Sequence, residues 1–209
     1  MNTKSLYRSL LTLGLSLLVT AHVFAQDHLD IQISGVGASQ IPVTIAGFAN
    51  EAAVPRKVTD IIKADLARTG LFRLVGTDAV LPESASIDYT KWKANGADAL
   101  VVGSVEKTAD GKVDVRYRLF DLGRASQLSA LSMVAPAQMT RVTAHKIADD
   151  IYEKLTGIKG MFSTRIAYVV RAGNEYRLEI ADSDGEGRQV ALRSKEPIIS
   201  PSWSPDGTR

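Results

Sequence analysis

The chain has 209 residues, of which 25 are basic and 23 acidic, and it has no cysteine. That composition excludes a disulfide-stapled scaffold and a lipidated N-terminus, so the fold has to rest on a core of its own. Removal of a leader carrying Lys4 and Arg8 leaves the two signs of charge equal, with no Lys/Arg cluster, which excludes nucleic-acid binding read from basic charge.

The first 25 residues read as a targeting segment. Lys4 and Arg8 form a short positive region, Leu10 to Val19 is apolar, and Val23-Phe24-Ala25 offers a cleavage site between Ala25 and Gln26. The apolar run is too short to span a bilayer, and no later stretch is long and apolar enough. Residues 26–40 read as a mobile mature N-terminus. Within them Leu29-Asp30-Ile31-Gln32-Ile33 alternates like a strand, and Ser34 to Gln40 is a glycine-containing break.

Ile41 to Phe48 reads as a mostly buried strand. Val58, Ile61, Ile62 and Leu66 fall on one face of a helix after Pro55, which Gly70 ends. Leu71 to Val75 suits a short strand, Asp78 to Ser86 a loop, and Asp88 to Asn95 a short helix. Ala99 to Val105 is too apolar for a strand with one wet face and suits a central strand. Asp110-Gly111 marks a hairpin turn. Beyond it Val113, Val115, Tyr117 and Leu119 alternate with Asp114, Arg116 and Arg118, the pattern of a half-buried strand. Gln127 to Val134 supplies a third strand. A last helix after Pro136 carries Ala144, Ile147, Ala148, Ile151, Tyr152 and Leu155 on its apolar stripe and ends at Gly157. Residues 41–156 therefore read as an α/β domain, a mixed sheet with helices against it, followed by a linker over 157–163.

From residue 164 onward only strand and turn signals remain. Arg165 to Val170, Tyr176 to Ala181 and Gln189 to Leu192 read as short strands, with Ser183-Asp184-Gly185 in a connection and a rigid turn from Pro201 to Gly207. The pair Thr164-Arg165 recurs at Thr208-Arg209, a spacing within the roughly 40–45 residues of a propeller blade. Residues 164–209 are thus expected to be the first blade of a β-propeller, truncated by the end of the sequence. A lone blade leaves its sheet faces uncovered and should be loosely held.

Chemistry-bearing patterns are sparse. Gly35-Val36-Gly37 lacks the third glycine of a dinucleotide loop, since position 40 is Gln40. Asp182-Ser183-Asp184-Gly185 lacks the acidic twelfth residue of a calcium loop, that position being Arg193, and reads as a turn. His28 lies in the N-terminal segment. His145, with Asp149 four residues on, reads as a helix-surface pair. Trp203 reads as a packing residue of the blade. No catalytic, cofactor-binding or metal-ligating set is expected, and the pattern favours a binding module over an enzyme.

Four stretches carry a resemblance. They are Trp92-x-x-x-Gly96-x-Asp98-Ala99-x-Val101-Val102-Gly103-x-Val105, Lys154 to Gly160 (KLTGIKG), Thr164 to Val170 (TRIAYVV), and Pro201-x-Trp203-Ser204-Pro205-Asp206-Gly207. Together they resemble the TolB family of periplasmic propeller proteins in the Tol-Pal envelope system. The resemblance implies an α/β N-terminal domain and a six-bladed propeller. It also implies two partners: TolA on the mature N-terminus, at Leu29, Asp30, Ile31, Gln32 and Ile33, and the lipoprotein Pal on the propeller. The implied role links the inner membrane to the outer membrane and peptidoglycan, notably during division. The remaining alternative is the propeller region of an exported hydrolase or lyase whose catalytic part lies elsewhere.

Overall fold

The computed structural model describes residues 40–207. Strand β1 (Ile41–Ile45) lies between β2 (Phe72–Leu74) and β3 (Ala99–Lys107) and runs parallel to both. β3, β4 (Lys112–Asp121) and β5 (Ser126–Pro136) form an antiparallel meander, giving a mixed five-stranded sheet of order β2-β1-β3-β4-β5. Helix α1 (Val58–Arg68) connects β1 to β2, α2 (Tyr89–Ala94) precedes β3, and α3 (Thr140–Thr156) follows β5.

The strongly apolar first part of β3 is central because both faces of the sheet are covered. On one face α1 and α3 bury Val58, Ile62, Leu66, Ala144, Ile147 and Ile151 against Val43, Ile45, Val101 and Tyr117. On the other, α2 and the loop before it cover Ala46, Leu100, Val102 and Phe120, with Trp92 as the largest contributor. This second layer changes the expectation for β4. Asp114, read as outward and solvated, is 5% exposed. Its carboxylate accepts from Arg116 Nε and from Ser132 Oγ, each at 2.8 Å. Arg118 donates to Ala85 O at 2.7 Å, so the loop over 78–88 lies across the face that alternation assigned to water.

β1 ends three residues before the expected Phe48. Beyond Ile45 the chain keeps only single bridges, Gly47 to Val80 and Ala49 to Ser104. Phe48 turns under β3, where Gly103 makes room for it: a Cβ at Gly103 would sit 2.6 Å from the Phe48 ring and 2.5 Å from Arg116 O. Helix α1 has no side-chain cap from Lys57. Buried Glu51, in a short 3-10 turn (Glu51–Ala53), supplies one instead, accepting Thr59 N at 2.7 Å and Thr59 Oγ1 at 2.8 Å. The carboxylate also complements the positive end of the helix.

Strands β6 (Arg165–Ala172), β7 (Glu175–Asp182) and β8 (Gln189–Ser194) make a second, antiparallel three-stranded sheet of order β6-β7-β8. Trp203 packs by its ring face against the Arg165 guanidinium, 5.3 Å from the ring centroid. Among the described residues no helix is long and apolar enough to cross a membrane.

Candidate functional site

The partner segment expected from the sequence, Leu29, Asp30, Ile31, Gln32 and Ile33, lies outside the described residues, as do the cleavage pair Ala25 and Gln26, His28 and the Gly35-Val36-Gly37 break. Within them, the polar side chains that converge most closely lie at the joint between the α/β domain and the blade, built around α3.

His145 is not the surface residue its spacing suggested. It is 1% exposed, and Nδ1 lies 2.6 Å from Oδ2 of fully buried Asp65 on α1. Ala144 and Ala148, both buried on the same helix, present no bulk between the two helices. The ring therefore turns inward and meets Asp65, and Asp149 is left for another task. Its Oδ1 accepts Phe162 N at 2.5 Å and its Oδ2 accepts Ser163 N at 3.1 Å, which fixes the linker along α3. Gly160 is required by this approach, because a Cβ there would lie 2.5 Å from Asp149 Cα. Phe162 then packs edge-on against Tyr152, which packs edge-on against Phe72 of β2, at centroid distances of 5.7 and 5.9 Å.

The Asp182-Ser183-Asp184-Gly185 stretch does form the β7–β8 connection, and it is tied to the α/β domain. Arg141 of α3 pairs with Asp182 Oδ2 through Nε at 3.0 Å and with Asp184 through its terminal nitrogen. His145 Nε2 faces Asp184 Oδ2 at 3.8 Å. Ser183 donates to Phe162 O at 2.6 Å and, through its amide, to Thr164 O at 3.0 Å. The connection, the linker and two helices thus meet at one place. Sequence spacing alone had no means of pairing Asp65 with His145, 80 residues apart, or Arg141 with Asp182.

An Asp–His pair is the base half of a hydrolytic triad, so its other side matters. His145 Nε2 has no hydrogen-bond partner. It faces a carboxylate, with no nucleophilic hydroxyl bonded to it. Asp65, His145 and Asp184 also bring potential metal-ligand atoms within 4.8 Å of one another. The two carboxylates, however, face opposite nitrogens of the ring, and Arg141 already neutralises Asp184. The arrangement therefore suits a hydrogen-bonded relay better than a coordination sphere. A separate groove at the C-terminal end of β1, lined by Gly47, Asn50, Lys57, Asp60 and Lys63, occupies the position where open α/β sheets often hold anions. Here Glu51 already fills the helix N-terminus.

Tyr117 anchors the sheet to α3. Its hydroxyl donates to Asp150 and lies 3.3 Å from Ser129 Oγ. Burial, reinforced by the Asp150 hydrogen bond, pushes its ionisation well above the ordinary tyrosine range.

Comparison with known proteins agrees with this architecture. The model of the TolB amino-terminal domain matches residues 29–128, and that of the TolB beta propeller domain matches residues 152–209. The Tol-Pal system protein TolB of Aromatoleum aromaticum is 54% identical over 187 residues, covering 88% of this chain and 44% of that protein. The protein of the same name from Bordetella parapertussis is 51% identical over 186 residues, covering 88% of this chain and 42% of its own length. The crystal structure of TolB from Acinetobacter baumannii aligns with a TM-score of 0.69 at 36% identity, over 80% of this chain and 42% of that one. The chain thus spans less than half the length of these relatives. A mixed α/β domain joined through a docked linker to a propeller-type sheet, with both parts matched in order, places this chain in the TolB family.

Proposed function

We propose that this protein is a non-catalytic, periplasmic binding component of the Tol-Pal system. In this reading it connects the inner membrane to the outer membrane and peptidoglycan, maintains envelope integrity and supports outer-membrane constriction in cell division. The observation that carries it is the pair of family matches, in order along the chain, together with identity above 50% to proteins named for that system. The Asp65–His145 pair supports a non-catalytic role, because its free nitrogen faces Asp184.

Two partners follow. TolA takes the mature N-terminal segment over 26–37, where Leu29, Ile31 and Ile33 alternate with Asp30 and Gln32. Such a segment adds to a partner's sheet edge through its backbone and reads specificity through alternate side chains. Pal takes the propeller and biases the segment between docked and free states, which requires Pal to bind the two states with different affinity. The test is calorimetry on the intact mature protein with and without residues 26–37. The deletion is expected to abolish TolA binding while leaving folding and Pal binding in place. Equal TolA affinity for both proteins would overturn the assignment.

A further inference from the structure

Buried His145 stands between carboxylates on two different elements. Nδ1 meets Asp65 Oδ2 of α1 at 2.6 Å, and Nε2 meets Asp184 Oδ2 of the β7–β8 connection at 3.8 Å with no hydrogen-bond partner. The charged groups around the ring come from every element packed there. On α1 they are Asp65 and, 3.5 Å from its other oxygen, the half-exposed Arg68. From the blade come Asp182 and Asp184, both paired with Arg141 of α3. Asp149, one turn further along α3, is engaged by the linker amides. Three carboxylates thus meet Arg141 and one peripheral arginine.

An ionised carboxylate only accepts, so Nδ1 donates to Asp65. A neutral ring then aims the Nε2 lone pair at the Asp184 carboxylate, and two acceptors face each other. A proton on Nε2 turns the same approach into a charge-assisted hydrogen bond. We infer that His145 is a proton-operated latch between the α/β domain and the blade: protonated at Nε2, it ties the β7–β8 connection to α1 through Asp65 and Asp184, and deprotonated, it leaves that link unmade while the contacts of Arg141 and Ser183 remain. The latched state binds one more proton than the released state, so latching strengthens as pH falls. The latch stands apart from the partner assignment.

The experiment is hydrogen exchange on the intact protein from about pH 8 to about pH 5.5, a window that brackets free histidine at about 6.5. After correction for intrinsic exchange, protection of the Ser183 and Gly185 amides is expected to rise with falling pH by up to about tenfold per unit, the limit for one linked proton. Long-range proton–nitrogen spectra should show a proton on His145 Nε2 under the conditions in which those amides are the more protected. H145Q and D184N should each flatten the slope. D184N leaves the buried pair untouched, so it and the wild-type series decide the matter should H145Q not fold. Protection that is flat in the wild type, an Nε2 without a proton where those amides are the more protected, or a slope that survives in D184N would each overturn the latch.

Discussion

The α/β domain and the blade both contain antiparallel strand pairs, yet they differ in how their strands are covered. In β3 the first seven residues are buried, because helices lie on one face of the sheet and α2 with its preceding loop lies on the other. In the blade Ile166 is 43% exposed and Leu192 52%, and only Ala181 of its apolar side chains is fully buried. Alternation decides that a segment can be a strand. Stability depends on what covers the strand. The blade is nonetheless held at one end, by the docked linker and by the contacts of Asp182, Ser183 and Asp184 to the joint. The expectation of a loosely held blade thus applies to its faces and not to its attachment.

The largest test of this contrast compares apolar truncations. Leu66→Ala removes a fully buried side chain from between α1 and the sheet. It should cost about 3 kcal/mol in urea unfolding. Leu192→Ala, on the exposed face of β8, should cost below about 1 kcal/mol. Equal losses would mean that the blade face is covered in solution and that the contrast drawn here is wrong.

Much of the architecture was legible because each element carries its own signal. The α1 stripe, the largely apolar stretch of β3, the Asp110-Gly111 turn and the α3 stripe all stand where periodicity and turn residues put them. The joint was not legible. Asp149 reads as one member of a helical pair, but it bonds amides 13 and 14 residues away. Asp65 interrupts the α1 stripe as a polar residue, and only the fold brings it to His145. The burial of Asp114 was equally hidden, because its partners Arg116 and Ser132 lie on that face of β4 and of the neighbouring β5. Polar contacts at long range leave no period in a sequence. The partner segment depended on a strand pattern and a family resemblance, and it lies outside the described residues.

The next test sharpens the attachment. Gly160→Ala places a methyl group where Asp149 Cα, Cβ and Oδ1 already lie. Backbone cannot yield cheaply, so the linker should lift from α3 at a cost of about 2 kcal/mol. Tryptic cleavage after exposed Lys159 should then accelerate by a factor of about thirty. The α/β core is not involved, and its near-UV spectrum should be unchanged. A cleavage rate equal to that of the wild type would show that the linker is not docked there.

A smaller effect is expected at the other side of the same contact. Asp149→Asn keeps the shape and one acceptor oxygen but loses the charge and one of the two amide bonds to Phe162 and Ser163. The loss should be about 1 kcal/mol. It should appear as faster exchange of those two amides, with α1 and β3 unaffected. If Gly160→Ala and Asp149→Asn were combined, their effects should fall short of additivity, because both act on one contact.

The smallest effects concern two charge clusters at hairpin tips, one in each region. In the α/β domain Lys112 and Thr108 bond Asp110 and hold its carboxyl at about 2, against 3.8 for the free group. In the blade Arg177, with Arg193, holds Glu175 below the ordinary glutamate range. In both cases the folded state favours the ionised carboxylate. Any stabilisation is therefore fully present above the unfolded value of about 4 and disappears as pH falls through the folded one. Asp110 is exposed and Glu175 is partly exposed, and water and salt screen such pairs heavily. Lys112→Gln should consequently raise the Asp110 titration midpoint, followed by carboxyl carbon shifts, and Arg177→Gln should do the same for Glu175. Neither should move the unfolding midpoint at neutral pH measurably. If Arg177→Gln released the blade while Lys112→Gln left the α/β domain intact, surface charge would be holding the blade together. The difference between the two regions would then not be one of covered and uncovered faces alone.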